Sequence, residues 1–473
     1  MNGYVKTLLK CAVALGLYHI AATFFVRSSN LFLLAKTRAI TEAGFLALPN
    51  PATSPSLASW EAALCGALFF TLTSGALVLF TALCAPSLHH MGFVSRKVAL
   101  GLHTAFLAAC SLLIGMGPQT VPLLLGATGV YLVLMPSGAP ATEVRLKPLL
   151  FHTLIPVLLA LCIAGTHLML PRGLFSGFRD AFLFDNPAGN AVRHFYYTYT
   201  LFPAEAFKRL EQKSQVTVSI KGEITPPIKA DLSRLGHIPV PEGSSDYTLS
   251  ASEQRVTLSR QRMDQTVDSK VFHASPSTVF KQLSKRTDPF GPLRTLTWYA
   301  LFTAFPLLFY LLFHTAGTLA ARVFFPVHLS AQIATIGVTL SATFFVILLA
   351  VGLSIPKNTQ TALSALSHAR GGDVSATEEI ARAAAHESAL VRYRAAMAAP
   401  RVRHPFLKRD ILTRLSKDKD TNVVCQALGA MGETRDRSYI TLIEEAVRTR
   451  PEWYVQWYGY RAMRRLGWQQ NPM

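Results

Sequence analysis

Histidine is the residue type with the most chemical potential in this sequence, because several histidines fall within or beside long apolar runs. They are His19, His103, His152, His167 and His314. His152 and His167 lie fifteen residues apart in one run, which in a helix corresponds to about 22 Å of rise and about 60° of rotation. The two side chains would therefore point in similar directions near opposite ends of a membrane-crossing helix, where haem ligands can lie.

Haem ligation by paired histidines also requires a facing pair on a second helix. His89 and His103 have a suitable spacing, but the charged residues Arg96 and Lys97 between them argue against one continuous apolar helix. Histidines at a membrane interface, or hydrogen-bonded within a helix bundle, explain the same pattern. Haem binding by His152 and His167 is therefore a rival interpretation, and no cofactor is predicted.

Recognisable catalytic motifs are absent from the sequence. It contains no Walker A sequence, no GxGxxG after a strand, no HExxH and no GxSxG. The apolar runs carry no carboxylate or strong base near their centres, which disfavours ion-coupled transport. The six cysteines form neither a CxxC pair nor a zinc-ligand spacing. The sequence therefore favours a non-enzymatic protein, with no catalytic or metal-binding residue predicted.

Composition indicates a membrane protein. Of the 473 residues, 50% are hydrophobic, which is too apolar for an ordinary soluble enzyme. The net charge of +19 is spread along the chain and suits membrane-protein loops and attraction to anionic lipid head groups. The chain has no basic run, RNP-type motif or zinc-finger pattern, so membrane lipid is expected as a partner and nucleic acid is not.

Seven apolar runs are interpreted as membrane-crossing helices, since a hydrocarbon core of ~30 Å takes ~20 helical residues. The runs are 11–26, 62–84, 98–116, 120–135, 149–170, 296–320 and 329–355. The last two stand in tandem and contain no Asp, Glu, Lys or Arg. Two crossings return the chain to the side that it left, so the polar regions before and after them must share one side. The predicted fold is mainly α and polytopic, with five spans in residues 1–170 and two more in 293–356.

Three polar parts complete the predicted organisation. Residues 171–213, which follow the fifth predicted span, are crowded with aromatic side chains and predict an amphipathic segment at the membrane surface. Residues 27–60 are predicted to be a connector between the first two spans. Residues 214–292 predict a small soluble α/β module, and residues 357–473 predict a helical repeat domain. Within the module, alternating strands are expected at 216–220, 247–249 and 255–258, with short helices at 228–235 and 275–285.

The repeat domain contains three copies of one helical pattern, each built around a valine. The valines are Val391, Val424 and Val455, spaced 33 and 31 residues apart, each preceded by an acidic residue. A small residue follows each valine by three or four positions, which lets a neighbouring helix approach closely. Stacked helix pairs bury their faces only against one another. We therefore expect Val424 to be buried, with Ala427 or Leu428 at the close approach.

This pattern resembles the HEAT-like repeats shared with phycobilisome lyases. The second copy, which includes Ala427–Gly429, is closest to the usual pattern. The resemblance implies an α-solenoid with a protein-binding surface and carries over no catalytic residue. The whole chain also resembles bacterial multi-span membrane proteins that end in HEAT-like tails.

Together these features predict a scaffold or assembly protein, integral to the cytoplasmic (inner) membrane, that presents the repeats to an unidentified protein partner. Lys and Arg in the short loops place both soluble modules on the extracytoplasmic side. Two alternatives stay open at this point. One is a haem-binding membrane redox protein, and the other is a transporter of lipid or a small molecule.

Aromatic side chains are the candidate interaction residues. They are Trp453, Tyr454, Trp457 and Tyr458 in the last repeat, and Tyr196, Tyr197 and Tyr199 in the segment after the fifth predicted span. A two-helix repeat cannot bury so many rings on its own inner face. The last repeat is therefore expected to dock against residues 178–213, leaving the earlier repeats for a partner.

Overall fold

The structure is a computed structural model that describes residues 2–76, 78–79, 121–134, 208–213, 215–260, 263–288, 357–368 and 374–470, with isolated residues between 184 and 205 and between 290 and 337. The chain divides into two compact units. The first comprises residues 1–29, 63–179 and 289–354, and the second comprises 30–62, 180–288 and 355–473.

Helices make up the described part of the first unit. The main ones are α1 (Asn2–Glu42), α2 (Trp60–Phe70) and α3 (Val121–Leu134). α2 is followed directly by a π-helical turn (Thr71–Gly75). A hydrogen bond of 2.8 Å joins the Tyr18 and Ser74 hydroxyls in its interior. A Cβ built on Gly126 would lie 2.7 Å from the Ala21 Cβ, so α1 and α3 approach closely there because Gly126 has no side chain.

The prediction of about seven membrane spans is wrong. Among the described residues, only one helix, Leu9–Glu42, is long and apolar enough to cross a membrane. The helix of the 120–135 run has 14 residues, which gives about 21 Å against the ~30 Å required. The runs at 98–116 and 149–170 lie outside the described residues, and 296–320 and 329–355 are described only at isolated positions.

Apolar composition overestimated the spans because it does not report how long one helix runs, as the 14 residues of α3 show. In the 62–84 run, the α-helix changes to a π-helix at Thr71, where hydroxyls turn back onto the backbone: Thr71 donates to the Ala67 carbonyl and Ser74 to the Phe70 carbonyl. The predicted connector at 27–60 was also misplaced. α1 continues through much of it to Glu42, because its later turns are buried in the core of the second unit.

A five-stranded mixed sheet forms the centre of the α/β part of the second unit. Its strands are β1 (Val216–Lys221), β2 (His237–Pro239), β3 (Tyr247–Ala251), β4 (Arg255–Arg260) and β5 (Met263–Asp268), in the order β2-β1-β3-β4-β5. β1 is parallel to both neighbours, whereas β3, β4 and β5 form an antiparallel meander. The three strand predictions and both helix predictions fall on elements of this fold, while β2 and β5 were not predicted.

The two faces of this sheet pack against different partners, as the two-residue period of a strand requires. Val218 and Leu249 belong to a core shared with α4 (Pro226–Leu235), α5 (Ser269–Ala274) and α6 (Pro276–Arg286). On the other face, Thr217 is buried beside Asp246, whose carboxylate contacts Lys36 at the end of α1. The final turns of α1 therefore belong to the α/β part of the chain.

The described part of the C-terminal region contains seven α-helices. They are α7 (Lys357–His368), α8 (Val374–Ala384), α9 (Ala389–Ala398), α10 (Pro405–Ser416), α11 (Thr421–Glu433), α12 (Ile440–Thr449) and α13 (Trp453–Arg465). From α8 onward they form three pairs, α8–α9, α10–α11 and α12–α13. The second helix of each pair carries one predicted valine, and Val391, Val424 and Val455 are all fully buried, as expected.

Close packing between the second helices depends on a glycine that the sequence pattern did not single out. A Cβ on Gly432 would lie 2.8 Å from the Ala462 Cα, so α11 and α13 nearly touch there. Gly429, three residues earlier on the same helix, has only ordinary space around it, 3.8 Å from the Tyr458 ring.

These two glycines provide a matched prediction. Gly432→Ala is expected to destabilise the repeats by about 1–3 kcal/mol, because backbone must move to admit the methyl group. Gly429→Ala is expected to be neutral or to stabilise by up to about 1 kcal/mol, because alanine favours the helix. Chemical unfolding of the two variants checks the difference, and equal stabilities would show that α11 and α13 do not approach at Gly432.

Candidate interaction site

The second helices of the three pairs form one continuous surface. α9 begins at Ser388, whose hydroxyl accepts a hydrogen bond from the Val391 N–H, and α11 begins at Asp420, whose carboxylate accepts one from the Asn422 N–H. Such caps fix where each helix starts. The caps therefore set the first turns of α9 and α11, and α13 begins after Glu452.

This surface is covered by the chain's own residues. We call residues 184–208 the internal segment. Six of its described residues define it here, and they are Phe184, Arg193, Tyr197, Leu201, Glu205 and Lys208. At the first pair, the Phe184 ring lies 5.3 Å from the Tyr393 ring of α9. At the second pair, Arg193 forms an ion pair with Asp420, and the Tyr197 hydroxyl donates a hydrogen bond to the Asn422 side chain.

The internal segment makes its densest contacts with the third pair. Tyr197 stacks on Tyr454 with 4.4 Å between ring centroids, and Leu201 packs beside Trp453 in a common apolar cluster. The Lys208 ammonium lies 4.0 Å from the centre of the Trp457 ring, a cation–π contact. The segment thus follows the second helices across all three repeats, in the order of the chain.

A buried ion pair lies beside this contact. Lys36 of α1 lies 2.5 Å from the Asp246 carboxylate, which also accepts hydrogen bonds from the backbone N–H and the hydroxyl of Thr217. Burial by itself would raise the pKa of Asp246, but Lys36, Lys213 and these hydrogen bonds lower it to about 2. Asp246 is therefore ionised at neutral pH and acts as a fixed anchor rather than as an acid or base.

A small cavity opens between the ion pair and the last repeat. Its walls include Leu33, Lys36, Glu205, Gln215, Trp453 and Trp457. A volume of about 40 Å³ holds a few water molecules at most and excludes an organic substrate. Both carboxylates near it are paired with lysines, Glu205 with Lys208 at 3.0 Å and Asp246 with Lys36. The geometry suits a structural junction.

Comparison with known proteins identifies the repeats. Residues 376–464 match the model of the HEAT-repeat family. The match begins in α8 and ends in α13, so it covers the three helix pairs and less than a quarter of the chain. No curated protein and no solved structure matches the sequence. The expectation of HEAT-like repeats in the C-terminal region is confirmed.

The predicted interaction residues lie inside the second unit wherever the structure describes them. Trp453 and Tyr197 are 5% and 4% exposed. Tyr454 and Tyr458 hydrogen-bond to each other through their hydroxyls at 3.3 Å, and Trp457 is covered by Lys208. Tyr199 is helical and half-buried, while Tyr196 and the haem candidates His152 and His167 lie outside the described residues.

These aromatic side chains therefore hold the HEAT repeats to the rest of the unit, as the expected docking onto residues 178–213 requires. Among the residues that the structure describes, no group of three His, Cys, Asp or Glu side chains is placed to hold a metal ion.

Sequence reasoning missed the polar residues that connect distant parts of this unit. The Asn50 amide donates to the carbonyls of Val447 and Arg448 at the end of α12, and the Gln456 side chain accepts from the Asn50 N–H. Gln215 similarly donates to the Leu46 carbonyl. Asparagine and glutamine are ordinary loop and surface residues, so the sequence carried no signal for their burial.

The first helices of the HEAT pairs face outward. Each exposes side chains at helical spacing, which is typical of one solvated face. The exposed residues are Glu378 and Arg382 on α8, Phe406, Asp410 and Arg414 on α10, and Thr441, Glu445 and Arg448 on α12. These side chains define the outward face of α8, α10 and α12.

Proposed function

We propose that the protein is a non-enzymatic, membrane-attached scaffold whose HEAT repeats bind a protein partner through their outward face. The observation that carries this proposal is the internal segment lying across the second helices. HEAT repeats generally bind proteins along an extended helical surface. Because one such surface is engaged within the chain, the outward face of α8, α10 and α12 is the surface left for a partner.

The tightness of the internal contact supports this assignment. A partner that used the second helices would have to displace a buried ion pair, a stacked ring pair and a cation–π contact together. Removing one member of a buried ion pair alone costs about 3–5 kcal/mol. The outward face requires no such displacement.

Membrane attachment is supported by the surface of the first unit. α1 exposes large apolar side chains at helical spacing, and so does α2. They are Leu9, Val13, Leu17, Ile20 and Phe24 on α1, Leu64 and Leu68 on α2, and Leu72 in the π-helical turn that follows α2. Polar groups are also found inside the unit, where the Tyr18 and Ser74 hydroxyls share a buried hydrogen bond of 2.8 Å. Exposed apolar stripes over a polar interior are typical of helices in contact with lipid.

The length of α1 within the first unit fits this attachment. Residues 9–29 belong to the first unit and would measure about 31 Å as a helix, close to the thickness of a hydrocarbon core. Lys36, farther along α1, is buried in a protein ion pair. We therefore place the lipid-facing part of α1 before residue 30, at the cytoplasmic (inner) membrane expected from the sequence.

A photo-crosslinking amino acid tests the outward face in intact cells. Placed at Glu378, Phe406 or Glu445, it is expected to give an adduct with the same discrete protein, because the three positions share one face. Asp264, on the exposed edge strand β5, is the matched control and should give no such adduct. Adducts of equal pattern from Asp264, or none from the three HEAT positions, would contradict the proposed function.

A further inference from the structure

Basic side chains are numerous in two turns of the HEAT repeats that are joined by a contact of Arg409. We define the basic turn surface by Arg401, Arg403, Phe406, Lys408, Arg409, Arg435 and Arg437. The Arg409 guanidinium donates a hydrogen bond of 3.0 Å to the Ser438 hydroxyl and lies 5.9 Å from the Tyr439 ring. These contacts bring the turn before α10 to the turn between α11 and α12.

The cations of this surface are poorly neutralised. Among the described residues, none of the six cations of this surface lies within ion-pair distance of a carboxylate. Asp436 lies near Lys408 and Arg409, and its pKa is lowered, first by hydrogen bonds from Ser438 and then by these two charges. Two aspartates, Asp410 and Asp436, lie amid six cations, so the surface keeps a net positive charge.

An exposed ring stands within this charge. Phe406 is 81% exposed, among the highest values for a large hydrophobic side chain in the described residues. It follows Pro405 in the first turn of α10, and its ring lies 6.1 Å from the ring of His404. An apolar side chain held in water by a helix start is suited to contact another apolar group.

Arg435 gives a second, independent indication. Its φ of 62° lies in the left-handed region, and it is the one non-glycine residue with a positive φ among those described. It directly follows the C-cap of α11, a position where glycine is usual because a side chain there costs about 1 kcal/mol. Residues held in strained backbone conformations concentrate at functional sites. The arginine is thus held, at a cost to folding, on the basic turn surface.

We infer that the basic turn surface binds an acidic protein segment that carries an apolar side chain. This inference rests on the proposed function and names the chemistry of the partner. Arginine presents paired N–H donors that match a carboxylate, and five of the six cations are arginines. Glutamates or aspartates of the partner lie over the guanidinium groups, and its apolar side chain packs on Phe406.

The arrangement favours a peptide segment over an anionic bilayer. A planar, negatively charged surface would press on Asp410 and Asp436 as well as on the arginines. A peptide instead places each carboxylate over a cation and keeps clear of the two aspartates. The single ring also matches one apolar side chain better than a membrane interface, where several aromatic anchors are usual.

A defined peptide tests the inference on the full-length protein in nanodiscs of zwitterionic lipid. The probe is a labelled peptide of Glu and Ser residues around one Phe, and the same peptide with Lys for every Glu is its control. We expect binding of the acidic peptide to weaken about tenfold in Arg435→Gly, as loss of one charge-assisted hydrogen bond predicts. Phe406→Ser should weaken binding similarly, and Lys270→Gln, which removes an exposed cation of α5, should not.

Arg435→Gly separates binding from folding. Glycine accepts the left-handed backbone, so the thermal unfolding midpoint of this variant should equal or exceed that of the wild type while its peptide affinity falls. Unchanged affinity in both variants, or equal binding of the Lys peptide, would overturn the inference. Capture of the nanodiscs by phosphatidylserine vesicles, dependent on Arg435 and Phe406 and without peptide binding, would assign the surface to lipid instead. Adducts at Glu378 and Glu445 would still uphold the proposed function in either case.

Discussion

Lys36→Met is expected to destabilise the second unit by about 3–5 kcal/mol, because it removes the cation in contact with the buried Asp246 carboxylate and leaves only the more distant charge of Lys213. The two side chains are 8% and 10% exposed, so water cannot replace the lost partner. Two of the five tryptophans lie in α13 and a third, Trp468, follows it closely, and their fluorescence during chemical unfolding reports the loss. The exposed pair Lys221–Glu242 provides the control, and Lys221→Met should change stability by less than about 1 kcal/mol.

The double variant Lys36→Met/Asp246→Leu shows whether the damage comes from an unpaired buried carboxylate or from lost packing of the Lys36 side chain. Replacing both members of a buried pair by apolar residues is often neutral, so the double variant should recover most of the stability. Equal damage in the single and double variants would show that Lys36 acts through packing rather than through Asp246.

The same pair predicts an acid dependence. The pKa of Asp246 is about 2, below its ordinary value of about 4. A carboxylate with a lowered pKa stabilises the folded state fully above its unfolded value, and this stabilisation is lost as the pH falls through the folded value. The difference in unfolding free energy between wild type and Lys36→Met should therefore be largest above a pH of about 4. It should become smaller as the pH is lowered to about 2.

Val424→Asp is expected to have an equally large effect on the HEAT repeats. Val424 is fully buried in α11, within the apolar core of the repeats. Burying an unpaired charge costs several kcal/mol. Gln426→Asp adds the same charge to the same helix at a half-buried position and should cost about 1 kcal/mol or less. If the two variants unfold alike, the register of the repeats is wrong.

The local parts of the fold were accessible from sequence because their signals are short-range. The valine spacing identified the second helices, and alternation located three of the five strands. The spans were overestimated because hydropathy counts apolar residues without testing the length of the helix that holds them, as the 14 residues of α3 show. β5 was missed because its exposed, polar residues do not alternate clearly.

The candidate site was only partly predictable. Crowding of aromatic residues predicted the contact between the internal segment and the last repeat, because so many rings exceed what one repeat can bury. Tyr197 and Trp453 are buried within the unit, so these two rings serve that internal contact. Lys36 could not be linked to Asp246, since a pairing across 210 positions leaves no mark in one sequence. The basic turn surface likewise depends on a contact between turns that only the fold supplies.

Cysteine crosslinking across the stacked pair tests the central claim most directly. That claim is that the internal segment covers the second helices of the HEAT repeats. In a full-length protein without its native cysteines, Tyr197→Cys and Tyr454→Cys should crosslink efficiently with a short reagent, because the two rings stack at 4.4 Å. Tyr199→Cys with Tyr454→Cys is the control, since two helical positions differ by about 200° in direction. Efficient crosslinking of the 197–454 pair and not of the 199–454 pair is the predicted result. Absence of the 197–454 crosslink in folded protein would contradict the account and leave the second helices free for a partner.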